Sequence, residues 1–398
     1  MLIVPPRPYL LNQKALPNLG ILTVSSVFKE LGHEVEVLDF ADGWRFIEAD
    51  LYGIYVSTPD VQVSVSILKW IKAKGAKKVI CGGPHATLRP KECFEFGFDA
   101  VCVGDGEVTV PKVLNGEKVA VGWLKNVDEA PHPDRTCLDL KTYDFQIAGV
   151  QATSMMTCYG CIWHRCAFCC RPPHDVLRFH SAEWVIQDLN GIADLGFEGV
   201  MIYDDEFFTY PQRDMKIINA LGEMGFTWRA FGHSRFLLKN KELVCEASQN
   251  GLREVLIGVE SGSNRILQTI NKGTTAEMNK QAIGMLHNLN VDVKAAMIVM
   301  LPGESKETLE ETWSFCEEVE GYVKDWDFCM LVPYPGSRIY ENSEDFDINL
   351  DRREVYSAYK GMHTKTWNPL KVSTSKLSFE EGLSWRNVLE SRFKFKNF

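Results

Sequence analysis

Cys158-Tyr159-Gly160-Cys161-Ile162-Trp163-His164-Arg165-Cys166-Ala167-Phe168-Cys169-Cys170 places five thiols within thirteen residues. Thiols at that density bind zinc, hold an iron–sulfur cluster or carry out redox chemistry. The preceding stretch, Gly149 to Thr157, reads as a short strand, so the cysteines lie on a loop leaving a strand end, where α/β proteins keep their sites. Paired as Cys158-x2-Cys161 and Cys166-x2-Cys169, four thiolates suit a structural zinc site. Three cysteines holding a cluster with one iron open to a ligand suit the same stretch. Zinc knots usually stabilise small domains, whereas this loop sits within a long α/β run. On spacing alone both readings stay open.

Working outward, the chain has 398 residues, 45% hydrophobic and 24% charged, enough for two domains with cores of their own. No apolar stretch approaches ~18 residues and no leader pattern is visible, so the expectation is a cytoplasmic protein without a membrane anchor. Twelve cysteines in a reducing compartment favour metal or catalytic use of the clustered ones over bridges. Of the scattered Cys81, Cys93, Cys102, Cys137, Cys245, Cys316 and Cys329, most are expected in the core. Net charge is −10. The densest basic run, Lys72 to Lys78, reads as the solvated end of a helix. With no basic stripe, a small-molecule or short-peptide substrate is expected rather than nucleic acid.

The first ~125 residues alternate strand and helix signals, the pattern of a doubly wound (Rossmann-like) parallel sheet. Strands are predicted at Leu2–Val4, Glu34–Asp39, Leu51–Ser57, Lys78–Cys81, Asp99–Val103 and Lys118–Leu124. Ile21, Val24, Val27, Phe28 and Leu31 mark one face of a helix closed by Gly32, and Val61–Lys74 reads as a second helix stopped by Gly75. The proline-bearing Pro131 to Arg135 marks a linker, set at 131–148 between domains at 1–130 and 149–340. In the second domain six strands, near 150–157, 199–204, 228–232, 254–260, 292–301 and 325–332, alternate with helices as in a full or partial (β/α)6 barrel. Residues 341–398 show no clear period and read as a short cap. Their Tyr356, Tyr359, Trp367 and Trp385 would cover either the barrel mouth or its bottom.

Cys161, Cys166 and Cys169, with Phe168 before the last of them, resemble the signature of the radical SAM superfamily. Four further stretches match it at successive strand ends and in the same order. They are Tyr203 to Thr209; Gly258 to Ser263, continued by Ile270-Asn271-Lys272-Gly273-Thr274; Met300 to Thr308; and Pro333 to Ser337. The first domain resembles the cobalamin-binding domain that often precedes this barrel, through Pro17-Asn18-Leu19-Gly20, Gly32-His33, Ser57-Thr58-Pro59, Gly82-Gly83-Pro84-His85-Ala86-Thr87 and Gly104-Asp105-Gly106-Glu107. The resemblance covers roughly residues 1–340. It departs in one place: four residues, Ile162 to Arg165, separate the first two cysteines where the family has three. Either the loop bulges and Cys161 remains a ligand, as Gly160 before it favours, or Cys158 replaces it. Cys158 and Cys170 are otherwise spare thiols: inert, part of a second cluster, or catalytic.

The resemblance implies a cobalamin-binding domain, a partial radical SAM barrel, and three cofactors: a [4Fe–4S] cluster on Cys161, Cys166 and Cys169, S-adenosylmethionine, and cobalamin. Phe168, Asp204, Asp205, Arg235, Glu260, Ser261, Met300 and Leu301 become candidates for binding S-adenosylmethionine, with Arg235 suited to its carboxylate. Acidic helix starts, surface ion pairs and ordinary turns are the competing uses of these residues. Ser57, Thr58, Gly82, Gly83, Pro84, His85, Gly104, Gly106 and Glu107 become candidates for cobalamin, the glycines admitting a flat macrocycle unless the fold's own turns require them. No Asp-x-His-x-x-Gly appears, so no histidine is assigned to the cobalt. The expected activity is methyl transfer to an unactivated carbon, with an external electron donor such as flavodoxin or ferredoxin. The alternatives are ring formation or rearrangement without methyl transfer, or a first domain that no longer binds cobalamin and acts as a scaffold, in the extreme with zinc on the cysteines.

Overall fold

A computed structural model describes residues 1–7, 10–170, 176–358 and 369–394. Contacts divide the chain into two compact units, Met1–Phe145 and the described residues from Gln146 onward. No helix among the described residues is long and apolar enough to cross a membrane.

The first unit is a six-stranded parallel sheet: β1 (Leu2–Val4), β2 (Val37–Asp39), β3 (Tyr52–Tyr55), β4 (Val79–Gly82), β5 (Ala100–Gly104) and β6 (Val119–Gly122), in the order β2-β1-β3-β4-β5-β6. The order turns back at β1, as in doubly wound folds. Leu2, Val4, Ile80 and Cys102 pack with Ile21, Val27 and Phe28 of helix Leu19–Glu30 and Val110 and Val113 of helix Gly106–Leu114. Asn18 caps the first of these helices by accepting the Ile21 amide at 3.1 Å, and Gly32 ends it at φ +84°. The proline-bearing segment lies against the same helix: Ser26 donates to the His132 carbonyl and Ser25 to Asp134, each at 2.7 Å.

The second unit is a seven-stranded sheet in the order β15-β14-β13-β12-β11-β8-β7. Its parallel strands are β8 (Val150–Met155), β11 (Gly199–Ile202), β12 (Thr227–Gly232), β13 (Leu252–Glu260), β14 (Asp292–Val299) and β15 (Asp325–Met330). The two-residue β7 (Gln146–Ile147) pairs antiparallel with β8. β9 (Cys158–Tyr159) and β10 (Arg178–Phe179) form a separate antiparallel pair. These three short strands are absent from the sequence reading, because two residues carry no periodicity. The six parallel strands are ranked in sequence order with a helix after each of the first five, a partial barrel. Ser181, Thr275 and Ser305 cap helices Ala182–Asp194, Ala276–Asn288 and Lys306–Val319.

Of the described residues after 340, Ala358 accepts the Tyr334 hydroxyl at 3.2 Å and Gly382 packs against Met300, both partners lying just past strand ends. Helix Phe379–Phe393 runs along β15, the last strand of the sheet. Phe393 packs its ring on Trp326 and Trp313, and Arg386 donates through Nε to the Phe328 carbonyl at 2.9 Å. Tyr356 and Trp385 are half-buried; Tyr359 and Trp367 lie outside the described residues. Arg386 also pairs with Glu390 at 2.5 Å, both side chains less than a tenth exposed. Arg386→Ala leaves Glu390 buried without this cation and removes a hydrogen bond to the Phe328 carbonyl. A loss of about 3–5 kcal/mol in urea unfolding is expected, and a smaller one for Arg386→Ala/Glu390→Ala.

Candidate active site

The loop leaving β8 is fixed at its root by two buried side chains. Asp204, just past β11, accepts the amides of Thr157 at 2.6 Å and Cys158 at 3.1 Å, and the Thr157 hydroxyl. Burial pushes its carboxyl up, although these hydrogen bonds and Arg213 work against that. Arg213 donates to the carbonyls of Thr157 at 2.6 Å and His180 at 2.7 Å while pairing with Asp214. Asp205, by contrast, is exposed. The Cys158 thiol is buried beneath this network, facing the carbonyls of Gly160 and Glu206, and burial with the nearby Asp204 pushes it far up. Cys170 points its sulfur at the Tyr334 carbonyl, 3.7 Å away.

Cys161, Cys166 and Cys169 form a different group. Burial pushes the Cys166 thiol up to about 12; Cys169, Glu260 and Cys161 add to this and Lys272 opposes it. The loop is held in place through Ala167, whose amide donates to the Ile270 carbonyl at 2.8 Å and whose carbonyl accepts the Ile339 amide at 3.1 Å. Beneath the thiols Lys272 Nζ pairs with Glu260 at 2.8 Å, with both side chains buried, and stands 5.8 Å from the centre of the Phe168 ring. Burial alone would lower the Lys272 ammonium; Glu260, Cys166 and Cys169 outweigh it and hold the lysine charged. Glu260 reaches this position through a left-handed backbone (φ +66°) and a register shift between β13 and β14, with Gly258 leaving space for the ion pair. Among the described residues no three His, Cys, Asp or Glu side chains close on one ion. Cys161, Cys166 and Cys169 are electrostatic neighbours, and the Lys272 ammonium beside Cys166 and Cys169 favours their thiolates, the form that ligates iron.

The extra residue between Cys161 and Cys166 is absorbed in a docked turn. His164 takes φ +36°, and Trp163 donates through Nε1 to the Asn271 carbonyl at 2.8 Å. The Trp163 ring lies flush on Gly273, where any Cβ would overlap it. Arg235 caps the ring at 4.8 Å and donates to the Gly273 carbonyl at 2.7 Å. Ser261 shares its hydroxyl with Thr312 at 3.1 Å and accepts the Ser263 amide. Met300, at φ +73°, and Leu301 form the turn after β14; its amides are received by the buried Glu304, whose carboxyl burial pushes up to about 8.

Three residues of this mouth went unassigned from sequence: Lys272, Glu206 and His233. Each stands in a stretch whose shape was legible, but the chemistry of each depends on burial. Glu206 is wholly buried; its carboxyl is pushed well up by burial against the backbone amides of His233 and Phe208, and Oε1 has no hydrogen-bond partner. His233 sets Nε2 at 2.9 Å from the Lys272 carbonyl, burial pushes the ring down to about 3, and Nδ1 is likewise without a partner. Orphan buried polar atoms at strand ends fit a site awaiting a polar ligand.

In the first unit the ends of β3, β4 and β5 are neighbours, which brings the candidate cobalamin residues together. Most already serve the domain itself. Ser57 bonds Asp60; Thr58 bonds Nδ1 of the fully buried His85 at 3.2 Å; His85 Nε2 lies 3.6 Å from Glu92, and burial lowers the imidazole to about 4. Gly83 (φ +111°) and Gly104 (φ +100°) occupy left-handed turns where a Cβ would strike the carbonyls of Val56 and Gly122, and a Cβ at Gly106 would strike Val24. Gly82 ends β4; Pro84 and Glu107 begin or follow the start of short helices, Pro84–Leu88 and Gly106–Leu114.

Comparison with known proteins agrees with this arrangement. Residues 155–316 match the radical SAM superfamily and residues 13–114 the B12 binding domain. An uncharacterized methyltransferase of Pyrococcus horikoshii is 27% identical over 365 residues, which is 82% of this chain and 78% of that protein. The hopanoid C-3 methylase of Methylococcus capsulatus is 24% identical over 360 residues, 81% of this chain and 68% of its own. The anaerobic magnesium-protoporphyrin IX monomethyl ester cyclase of Cereibacter sphaeroides is 24% identical over 342 residues, 77% of this chain and 55% of its own. Among solved structures, the cobalamin-dependent S-adenosylmethionine radical enzyme OxsB superimposes with a TM-score of 0.74 at 19% identity, over 98% of this chain and 66% of that one. The radical S-adenosylmethionine methyltransferase TsrM from Kitasatospora setae superimposes with 0.71 at 15%, over 98% and 88%. Thiols, domain order and fold converge: the chain belongs to the radical SAM superfamily, with a B12-binding domain ahead of the radical SAM domain, and works with a [4Fe–4S] cluster, S-adenosylmethionine and cobalamin.

Proposed function

We propose that this protein is a cobalamin-dependent methyltransferase acting on an unactivated carbon of a small molecule or short peptide. The observation that carries the reading is the group of Cys161, Cys166 and Cys169 around the buried Lys272–Glu260 pair, in a chain whose relatives include methyltransferases. When bound, the cofactors supply a 5′-deoxyadenosyl radical and a transferable methyl group. The three cysteines hold the cluster. Lys272 keeps a positive charge against their thiolates, and Glu260 keeps Lys272 in place. Glu206 Oε1 and His233 Nδ1, the latter an acceptor because Nε2–H is given to the Lys272 carbonyl, offer acceptors to the amino end of S-adenosylmethionine. The Met300–Glu304 turn presents backbone beside them. Asp204 and Arg213 act through the loop, as positioning residues. An external one-electron carrier of the flavodoxin or ferredoxin type completes the system. Similarity to the magnesium-protoporphyrin cyclase favours a second reading, ring closure without methyl transfer.

Anaerobic reconstitution with iron, sulfide and hydroxocobalamin tests the proposal. About four irons and one cobalt per chain are expected. Turnover should release S-adenosylhomocysteine together with 5′-deoxyadenosine. Deoxyadenosine alone points to ring closure, absence of cobalt to a scaffold role for the first unit, and zinc without iron refutes the reading.

A further inference from the structure

The turn that absorbs the extra residue between Cys161 and Cys166 also builds a surface. Ile162, Trp163, Arg165, Arg235, Phe236 and Lys239 line an open depression of about 330 Å³. Its floor is apolar: Ile162 is 39% exposed, and two guanidiniums lie over the Trp163 ring, Arg165 at 5.4 Å and Arg235 at 4.8 Å. Its rim is cationic. Arg165, Arg235 and Lys239 are exposed, the lining contains no acidic residue, and none of the three has an ion-pair partner among the described residues. On a chain of net charge −10, three uncompensated cations around an aromatic floor are a local reversal of the overall field. An apolar centre with a charged rim is the anatomy of a protein-docking patch, and its sign selects an acidic partner.

The position of the patch selects the kind of acidic partner. Trp163 and Arg165 lie on the chain between two cluster-binding cysteines, so a partner seated here stands over the loop that holds the cluster. We infer that the Trp163 patch is the docking surface for an acidic one-electron carrier protein of the flavodoxin or ferredoxin class. The inference rests on the radical reading above. In the docked complex one electron leaves the reduced carrier, which is oxidised by one electron, and enters the cluster, which is reduced by one; no bond is made or broken in that step. Arg165 and Lys239 steer and hold the carrier, and Arg235 keeps the Trp163 ring in place.

The test compares the reconstituted holoenzyme with Arg165→Glu/Lys239→Glu, two exposed positions whose reversal leaves the core untouched. Binding of oxidised flavodoxin is followed by titration calorimetry, and reduction of the cluster by loss of its visible absorbance, with reduced flavodoxin or with dithionite. Affinity and flavodoxin-driven reduction should both fall by about tenfold or more at low salt, and the wild-type values should weaken as salt rises. Dithionite-driven reduction should be unchanged, and Arg165→Lys/Lys239→Arg should behave as wild type. Unaltered flavodoxin affinity and rate in the charge-reversed protein overturn the inference. So does binding of a single-stranded oligonucleotide that the reversal abolishes while the flavodoxin rate stays constant, which would assign the patch to nucleic acid. A wild-type protein that holds no reducible cluster even with dithionite refutes the radical reading itself, and the inference falls with it.

Discussion

Cys166→Ala is expected to strip the protein of iron and of all S-adenosylmethionine cleavage, while Cys158→Ala keeps both. The contrast follows from where the two sulfurs sit. Cys166 shares its surroundings with Cys161, Cys169 and the Lys272 ammonium, whereas Cys158 faces two backbone carbonyls and the Asp204 carboxylate. A sulfur next to a buried carboxylate resists ionisation, and only thiolates ligate iron. Cys161→Ala and Cys169→Ala should match Cys166→Ala, and Cys170→Ala should match Cys158→Ala. Iron and sulfide counts after anaerobic reconstitution, with the cluster's absorbance, read the result. Iron retained in Cys161→Ala but lost in Cys158→Ala would mean that the turn bearing Trp163 is not the bulge described here and that Cys158 is the ligand.

Lys272→Met carries the second large effect. The substitution leaves Glu260 buried without a cation, and breaking such a pair from one side costs about 3–5 kcal/mol. The loss should appear as a lowered urea midpoint of the cluster-free protein. Lys272→Met/Glu260→Gln removes both charges and should recover most of that loss. The cluster reports a different quantity. Of the charges acting on Cys166, Lys272 is the largest, so its removal withdraws support from the thiolates in the single and the double variant alike. The cluster's midpoint potential should move to more negative values in both, further in the single variant, where Glu260 stays charged. Equal potentials in all three proteins would show that the ammonium does not face the cluster. A double variant no more stable than the single would show that packing, not charge, explains the pair.

The parallel strands were legible because they are buried on both faces and read as short apolar runs between glycines and polar turns; Val79–Gly82 and Gly199–Ile202 are examples. Boundaries shifted by a few residues because the pattern continues into the turns. The positions of the site were also legible, since Asp204, Glu260 and Met300 each directly follow or end a strand. Their partners were not. Arg235 meets Gly273 thirty-eight residues on, Ser261 meets Thr312 fifty-one residues on, and Asp204 turns back forty-seven residues to Thr157. Contacts at such separations follow from how the strands curl, which no local period encodes. Burial is equally hidden. His85 sits in a glycine-rich turn that reads as surface, yet its ring is enclosed. Lys272 sits between Asn271 and Gly273 as any loop lysine would, and only the fold shows it beside Cys166 and Cys169.

The helix along β15 has a consequence for the newborn chain. Synthesis proceeds from the N-terminus and domains fold as they emerge, so the sheet is assembled while its last strand still lacks the segment that shields it. Until Arg386 reaches the Phe328 carbonyl and Phe393 covers Trp326, each nascent molecule presents a bare edge with an aromatic face, the surface that recruits a neighbour into an aggregate. Slower translation therefore lengthens the vulnerable interval, and a chaperone that shelters ribosome-bound chains should raise the soluble yield more than one acting after release.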